Sequence, residues 1–491
     1  MPSAFRPQRR AGLTLVEILI ALSMTLIVLG TMTAAFKVAS EEMREGRALI
    51  ELANRARIVE DHLRTDLGSV TVETRVYDGE VEPHGYFEYV EGLIRDSTFA
   101  ASDSFQGDCD DVLAFTARST DGILYRGRRK RAVDANGNLM VDGNGNLMVG
   151  PTEVIESSLA EIVWFTTVND NDIDVAVGGP LEPQVSDGVT PVATSSVDFD
   201  DSIRLHRRVL LIRPEFGTLA PDVSLEEANN FIRNNDISVR LVPRSANRFD
   251  IVANSLEDLA IRANRFAHME TTFDGTNEGN FPNNFTFTNI QNRVASDDNS
   301  NGVYTPGAST QPWAALAPIL SDVGAFDLRV YSPTARVNDV ASVIVEPSDV
   351  GYDNRDLNFD LPGSGAYVDL GYANLATIPT EREDEWFIAN SAAPTNPLNP
   401  GSGVWINNVW DSWTPAYESD GIDQNGDGTT VDESTNGVND DGSNVIDDPG
   451  ERETQPPYIQ PIRGMKITLR LVEKGTKQVH QTSIIHSFVP E

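Results

Sequence analysis

Oxygen ligands at alternate positions are the most chemically pointed feature of this sequence. In Gly421–Gly428 the order Gly-Ile-Asp-Gln-Asn-Gly-Asp-Gly puts Asp423, Asn425 and Asp427 two residues apart, with Asp432 and Glu433 behind them. A loop of this kind can wrap a calcium ion, which takes about six to eight hard oxygens, and the glycine after the third ligand permits the sharp turn. A second run, Asp134, Asn136 and Asn138, repeats at once as Asp142, Asn144 and Asn146. It has the same donor chemistry, but its Asn-Gly pairs also suit a β-hairpin. For both stretches the bland reading is a solvated linker whose Asn, Asp and Gly simply favour turns. Nucleophilic and zinc chemistry have less to stand on. The six histidines are scattered, no HExxH or Gly-x-Ser-x-Gly pattern occurs, and Cys109 lies between Asp108 and Asp110, where acids oppose a thiolate. His480 and His486 have the even spacing that places two residues on one face of a strand. The reading is a non-enzyme with calcium as its candidate cofactor.

The N-terminus carries a different kind of chemistry. Arg6, Arg9 and Arg10 precede Gly12, and Leu13-Thr14-Leu15-Val16-Glu17 leads into nineteen uncharged residues, Ile18–Phe36. A secretory signal would place its small-residue cleavage site after the apolar run. Here the small residue stands before it, so a cut between Gly12 and Leu13 leaves the apolar segment on the mature chain. Leu13–Phe36 makes ~36 Å of helix, enough to cross a ~30 Å hydrocarbon core with some tilt, and the leading arginines hold the N-terminus in the cytoplasm. Glu17 is the exception in this run. A carboxylate at a membrane helix centre is disfavoured by ~2.5–3.5 kcal/mol and needs a partner. Cleavage would create one in the α-amine of Leu13.

These residues need elements to hold them. From Lys37 the helical pattern continues to Leu67, with Leu49, Leu52, Ala56, Val59, Leu63 and Leu67 recurring at three or four residues and Gly68 as the stop. Short β-like runs follow at Val70–Val76, Val112–Ala117, Ile162–Val168, Arg207–Arg213, Ile237–Val242, Phe326–Tyr331 and Ser342–Val345. A terminal hairpin spans Met465–Val472 and Val479–Phe488, and helical patches lie at Leu225–Arg233 and Leu256–Arg265. This order predicts an α+β fold, a long helix on an antiparallel sheet. The segments are a leader (1–12), a transmembrane helix (13–36), its amphipathic extension (37–68) and a β-rich domain (69–491). Irregular insertions interrupt that domain at about 271–312 and 346–461. A net charge of −36 argues against nucleic-acid binding and favours cations. One cysteine excludes an internal disulfide.

The order of basic leader, glycine, Thr-Leu-Val-Glu and apolar helix resembles the type IV pilin and pseudopilin superfamily. Arg55–Leu67, Phe326–Tyr331 and Ile462–Leu469 look like parts of minor pseudopilin J of type II secretion. The resemblance implies a prepilin peptidase that cuts after Gly12 and methylates Leu13. It implies that Glu17 meets a neighbouring subunit's amine and sets its register. It also implies a single-pass inner-membrane protein with a periplasmic domain, built with other minor pseudopilins and the major pseudopilin near the tip of a pseudopilus. The K-like tip subunit, which carries a large insertion and calcium, competes by size but normally lacks the glutamate. A W-like minor type IV pilin, for adhesion or DNA uptake, has almost the same start. The Asp423–Glu433 loop looks like a thrombospondin-repeat calcium loop more than an EF-hand, because Ser434 stands where the EF-hand glutamate would be.

The junction makes a direct prediction. Membrane-extracted mature chain begins with N-methyl-leucine at Leu13, and Gly12→Val blocks processing because a β-branched side chain crowds the peptidase site. Intact mass decides this, and a mature start beyond Phe36 contradicts it.

Overall fold

The computed structural model describes residues 14–75, 85–92, 105–130, 150–169, 202–267, 318–349, 363–370, 409–413 and 456–488, with gaps of one or two residues in some of these ranges, and residue 437. Thr14 opens helix α1 (Leu15–Leu67, 53 residues) with a capping box: its side chain accepts from the Glu17 backbone, and the Glu17 side chain accepts from the Thr14 backbone. From Leu15 to Phe36 every side chain is exposed to the surroundings of the chain, and this stretch is long and apolar enough to cross a membrane. Its few hydroxyls, on Ser23, Thr25, Thr31 and Thr33, bond back to carbonyls three or four residues earlier. Lipid demands such internal satisfaction.

The second half of α1 behaves differently. Leu52, Ala56, Val59, Leu63 and Leu67 are buried. Leu49, expected to begin this stripe, is 39% exposed, so the buried face starts one turn later. Gly68 ends the helix, its N–H donating to the Arg64 carbonyl at 3.0 Å.

The strands run in order β1 (Phe87–Val90), β2 (Val112–Arg118), β3 (Tyr125–Lys130), β4 (Thr152–Ser157), β5 (Leu159–Asn169) and β6 (Ser202–Leu211). Next come β7 (Thr218–Val223), helix α2 (Leu225–Asn234), β8 (Val239–Ser245), β9 (Arg248–Ala253) and helix α3 (Leu256–Ala260). The last group is β10 (Leu320–Val340), β11 (Val343–Val345), β12 (Gly363–Val368), β13 (Val409–Asp411), β14 (Gly464–Glu473) and β15 (Gln478–Ser487). The main sheet has the order β13-β1-β2-β5-β6-β10-β14-β15, with β11 and β12 also paired to β10, and its ladders are antiparallel. The three-stranded sheet β7-β9-β8 and the ribbon β3-β4 stand apart from it.

Alternation along the strands produces two cores. Phe87, Leu113, Phe115, Ile162, Trp164, Leu328, Ile467 and Leu469 pack with the α1 stripe. Val163, Phe165, Ile251, Leu259 and Phe266 pack on the other face, under the small sheet and short helices. The expected helix-on-sheet layout is therefore present, and strands predominate.

Several local expectations change. Of the expected strand Val70–Val76, the described residues Val70–Arg75 form none: Val70 makes one isolated bridge to Ala117, and Thr74 turns away to donate from its hydroxyl to the Ile462 carbonyl at 2.7 Å. The patch at Leu256–Arg265 breaks at Ile261, whose backbone is extended, into α3 and a 3-10 turn (Arg262–Asn264). The insertion at 271–312 lies outside the described residues. Within 346–461, β12 and β13 are strands that composition concealed.

One polar anchor fixes α1 to the sheet. Asp66, buried in the last turn, accepts from Arg207 Nε and Nη2, both at 2.7 Å, and from Trp164 Nε1 at 3.0 Å. Paired N–H groups on a buried carboxylate give both energy and orientation. Asp66→Ala should cost about 3 kcal/mol, because the buried partners lose their acceptor. Asp61→Ala, exposed on the same helix, should stay within about 0.5 kcal/mol. Urea titration of the detergent-solubilised chain measures both, and equal losses would contradict the anchor.

Candidate metal centre

Five carboxylates that the sequence scatters across four segments meet inside the domain. The segment before β2 runs beside β10: Gly107 N–H donates to the Gly324 carbonyl at 2.9 Å, and Phe326 N–H to the Asp108 carbonyl at 2.8 Å. Gly324 permits this approach, since a Cβ there would collide with the Phe105 carbonyl. Asp111 then closes the corner, its oxygens accepting from Gly92 N at 2.9 Å and Leu328 N at 2.6 Å. Glu91, just past β1, accepts from Leu370 N at 3.2 Å and from the Tyr89 hydroxyl.

Glu91, Asp108 and Asp369 each place one oxygen within 4.8 Å of the others, and so do Asp108, Asp111 and Asp327. Asp108 belongs to both groups. None of the five is more than 2% exposed. Arg329, two residues along β10 from Asp327, reaches Asp327 at 3.2 Å, Asp369 at 3.1 Å and Asp349 at 2.6 Å. Burial opposes its charge, but Asp327, Asp369 and Asp349 hold its pKa above the ordinary guanidinium value. The Tyr89 phenol is pushed well up by burial, then by the charges of Asp111, Glu91 and Asp369.

Gathering carboxylates away from water carries desolvation and mutual repulsion, which guanidinium, protons or a cation can offset. These clusters could hold a metal ion. Their donors are all oxygen, which suits hard cations over the nitrogen- and sulfur-seeking zinc.

None of the residues singled out from sequence is among these five. Glu17 lies in the first turn of α1, accepting from Thr14 N and Thr14 Oγ1, both at 2.9 Å. Gly12 and Leu13 lie outside the described residues. So do Asp423, Asn425, Asp427, Asp432, Glu433, Asp134, Asn136, Asn138 and Asp142. Cys109 is buried, its carbonyl accepting from the Thr166 hydroxyl. His480 and His486 share the β15 face that carries buried Ile484, on the side of α1. His206 is sandwiched against Phe165, ring centroids 5.2 Å apart. Burial, then the charge of Arg204, lowers its pKa to about 4, so the imidazole is neutral at physiological pH.

A second polar constellation clamps the small layer to the opposite face of the sheet. Glu88 takes Arg262 at 2.6 Å and Arg265 at 3.0 Å, and Arg265 also takes Asp411 of β13 at 2.7 Å. Beside it Glu161 accepts from Ser238 Oγ at 2.6 Å, Tyr86 OH at 2.8 Å and Phe266 N at 2.8 Å. Burial nevertheless raises the Glu161 pKa. A carboxyl whose folded pKa is raised contributes most below its unfolded value of about 4.3 and loses that contribution as pH climbs through the folded one. Glu161→Gln, which resembles the protonated acid, should melt higher than the parent at pH 8, and the difference should shrink toward pH 4. A variant that melts lower at pH 8 would show that the charge itself is needed.

No family model, curated protein or solved structure matches the chain.

Proposed function

We propose that the chain is an assembly subunit of the pseudopilin kind, anchored by α1 and J-like in a type II secretion pseudopilus. The observation that carries this reading is the division of one unbroken helix. Its first half offers an apolar surface with no partner from its own described chain, and its second half is built into the α1-facing core. Such a helix serves to hold a folded body on a membrane and against like subunits. In this reading the fold is α+β, the N-terminus is cytoplasmic, and the body is periplasmic. Prepilin peptidase exposes the Leu13 amine. Glu17 then leaves its contacts with Thr14 to meet the amine of a neighbouring minor or major pseudopilin.

Glu17→Ala tests the role. Removing a costly group should leave membrane insertion intact, while recovery of the other pseudopilins with a tagged chain should fall at least about tenfold, the loss of one good charge pair. Native recovery of the partners would rule out a register role.

Calcium is the cation this reading assigns, because buried Glu91, Asp108, Asp111, Asp327 and Asp369 and the Asp423–Glu433 loop offer oxygen alone. At ~100-fold excess over its dissociation constant an ion bound only to the folded state adds ~2.7 kcal/mol. The chain should therefore melt higher in millimolar calcium than in chelator. Asp423→Ala with Asp427→Ala, against Asp108→Asn with Asp111→Asn, separates the loop from the buried cluster. A melting point indifferent to chelator contradicts calcium at both.

A further inference from the structure

The terminal hairpin β14–β15 is basic in a strongly acidic chain. Gly464–Ser487 carries Lys466, Arg470, Lys474 and Lys477 against Glu473, where the whole sequence is −36. The register pairs Glu473 with Gln478, so Lys474 to Lys477 form the tip, and Lys477 is exposed with φ +56°. Thr476 N and Oγ1 donate to Glu473 at 2.6 and 2.8 Å and tie the turn.

The hairpin has a direction relative to α1. The helix packs across β14 and β15. Hydrogen bonds from Thr476 hold Glu473 below the ordinary carboxylate range, and the nearby charge of Arg44 adds to this. At the other end of β15 burial lowers His486, with Arg64 adding to it. The backbone fixes the same direction. Thr74, seven residues past the end of α1, accepts from Ile462 N–H at 2.9 Å and donates from its hydroxyl to the Ile462 carbonyl at 2.7 Å, and Phe488 N–H donates to the Arg463 carbonyl at 3.0 Å. The open end of the hairpin therefore lies by the C-terminus of α1, and β15 follows the helix back toward about Arg44. Eight residues of strand span ~26 Å and twenty of helix ~30 Å, so the two paths agree in length. The tip is the end of the hairpin that points back along α1 toward Phe36.

Arg44 lies ~12 Å of helix beyond Phe36, and the headgroup zone occupies ~5–7 Å on each side of the hydrocarbon core. A lysine stem extended from the tip closes most of what remains. The residual gap is within the ~8 Å over which salt leaves a surface potential. On α1 itself Lys37, Arg44 and Arg47 are matched by Glu41, Glu42 and Glu45. The positive excess comes from the hairpin.

We propose that the Lys474–Lys477 tip contacts anionic phospholipid headgroups of the bilayer that α1 crosses, and so fixes the tilt of the acidic body above it. The contact rests on the membrane-anchored reading of α1. Basic residues held at that depth attract an anionic surface, whereas the rest of the chain is repelled by it.

The buried lone Cys109 makes the test clean, because a thiol dye reaches only an introduced cysteine. Full-length Gln478→Cys is labelled beside the tip, and Ile123→Cys at a site 77% exposed in the turn after β2, whose Arg118 N–H donates to the Ser69 carbonyl just past α1. Both are placed in nanodiscs with a headgroup-tethered quencher, in zwitterionic lipid or with about a third anionic lipid. Tip quenching should rise about twofold or more in anionic discs, fall back in about 0.5 M salt, and disappear in Lys474→Gln with Lys477→Gln, while the far site stays unchanged. Tip quenching equal in the two lipids, or unmoved by the lysine changes, overturns the headgroup contact alone. A chain that does not enter the discs overturns the membrane-anchored reading and this inference with it.

Discussion

A single helix has to be stable in two surroundings, and the rest of the molecule follows from that constraint. Over Leu15–Phe36 the side chains are apolar on every side and the hydroxyls fold back onto the helix. Over Leu52–Leu67 one stripe is buried and the other faces carry charge. The change of surroundings falls between Lys37 and Leu49. Side chains are exposed there apart from half-buried Ala48, so the rigidity of the helix rests mainly on unbroken backbone bonding. The Asp66 anchor to Arg207 and Trp164 then fixes the far end to the middle strands of the sheet, and the terminal hairpin braces the near end.

The sheet in turn separates two interiors with different tasks. The face toward α1 is mostly apolar, and at one corner Asp108, Asp111, Asp327, Glu91 and Asp369 converge near Arg329, with Asp327 and Arg329 alternating with Phe326, Leu328 and Val330 of the α1-facing core. The opposite face carries the Glu88, Arg262, Arg265 and Asp411 network, which ties the small layer and the short edge strand β13 to the same place. A buried ion network gives modest net stability but strongly opposes any arrangement that leaves one member alone. Here that property holds a strand from a long insertion against β1, capping a sheet edge that would otherwise invite pairing.

Local pattern was enough to read α1, its stop at Gly68, the terminal hairpin and the central strands, because each is stated by periodicity within about ten residues. Edge strand β13 was not legible. Val409-Trp410-Asp411 is three residues long and gains its place through Trp410 Nε1 bonding the Gln460 carbonyl and Asp411 meeting Arg265. The acid corner was hidden for a related reason. Asp108 and Asp111 read only as acids flanking Cys109, and Asp327 as the polar member of an alternating strand. Their meeting depends on contacts between segments more than two hundred residues apart, such as Asp111 with Leu328 N. Burial of a carboxylate inside a strongly β-like run was the one available signal. The sequence-level calcium loops, by contrast, are local patterns whose residues fall outside the described part of the fold.

Accessibility along α1 tests the division of the helix most directly. Single cysteines from Ile18 to Leu63 can be probed in intact membranes with an impermeant maleimide, since the native thiol of Cys109 is buried. The account predicts protection through Phe36, reaction at Met43, Ile50 and Ile58, and renewed protection at Leu52, Val59 and Leu63. Reaction at Ile20 or Ile27 as fast as at Ile50 would mean that no bilayer covers the first half, and the account of the helix would fail.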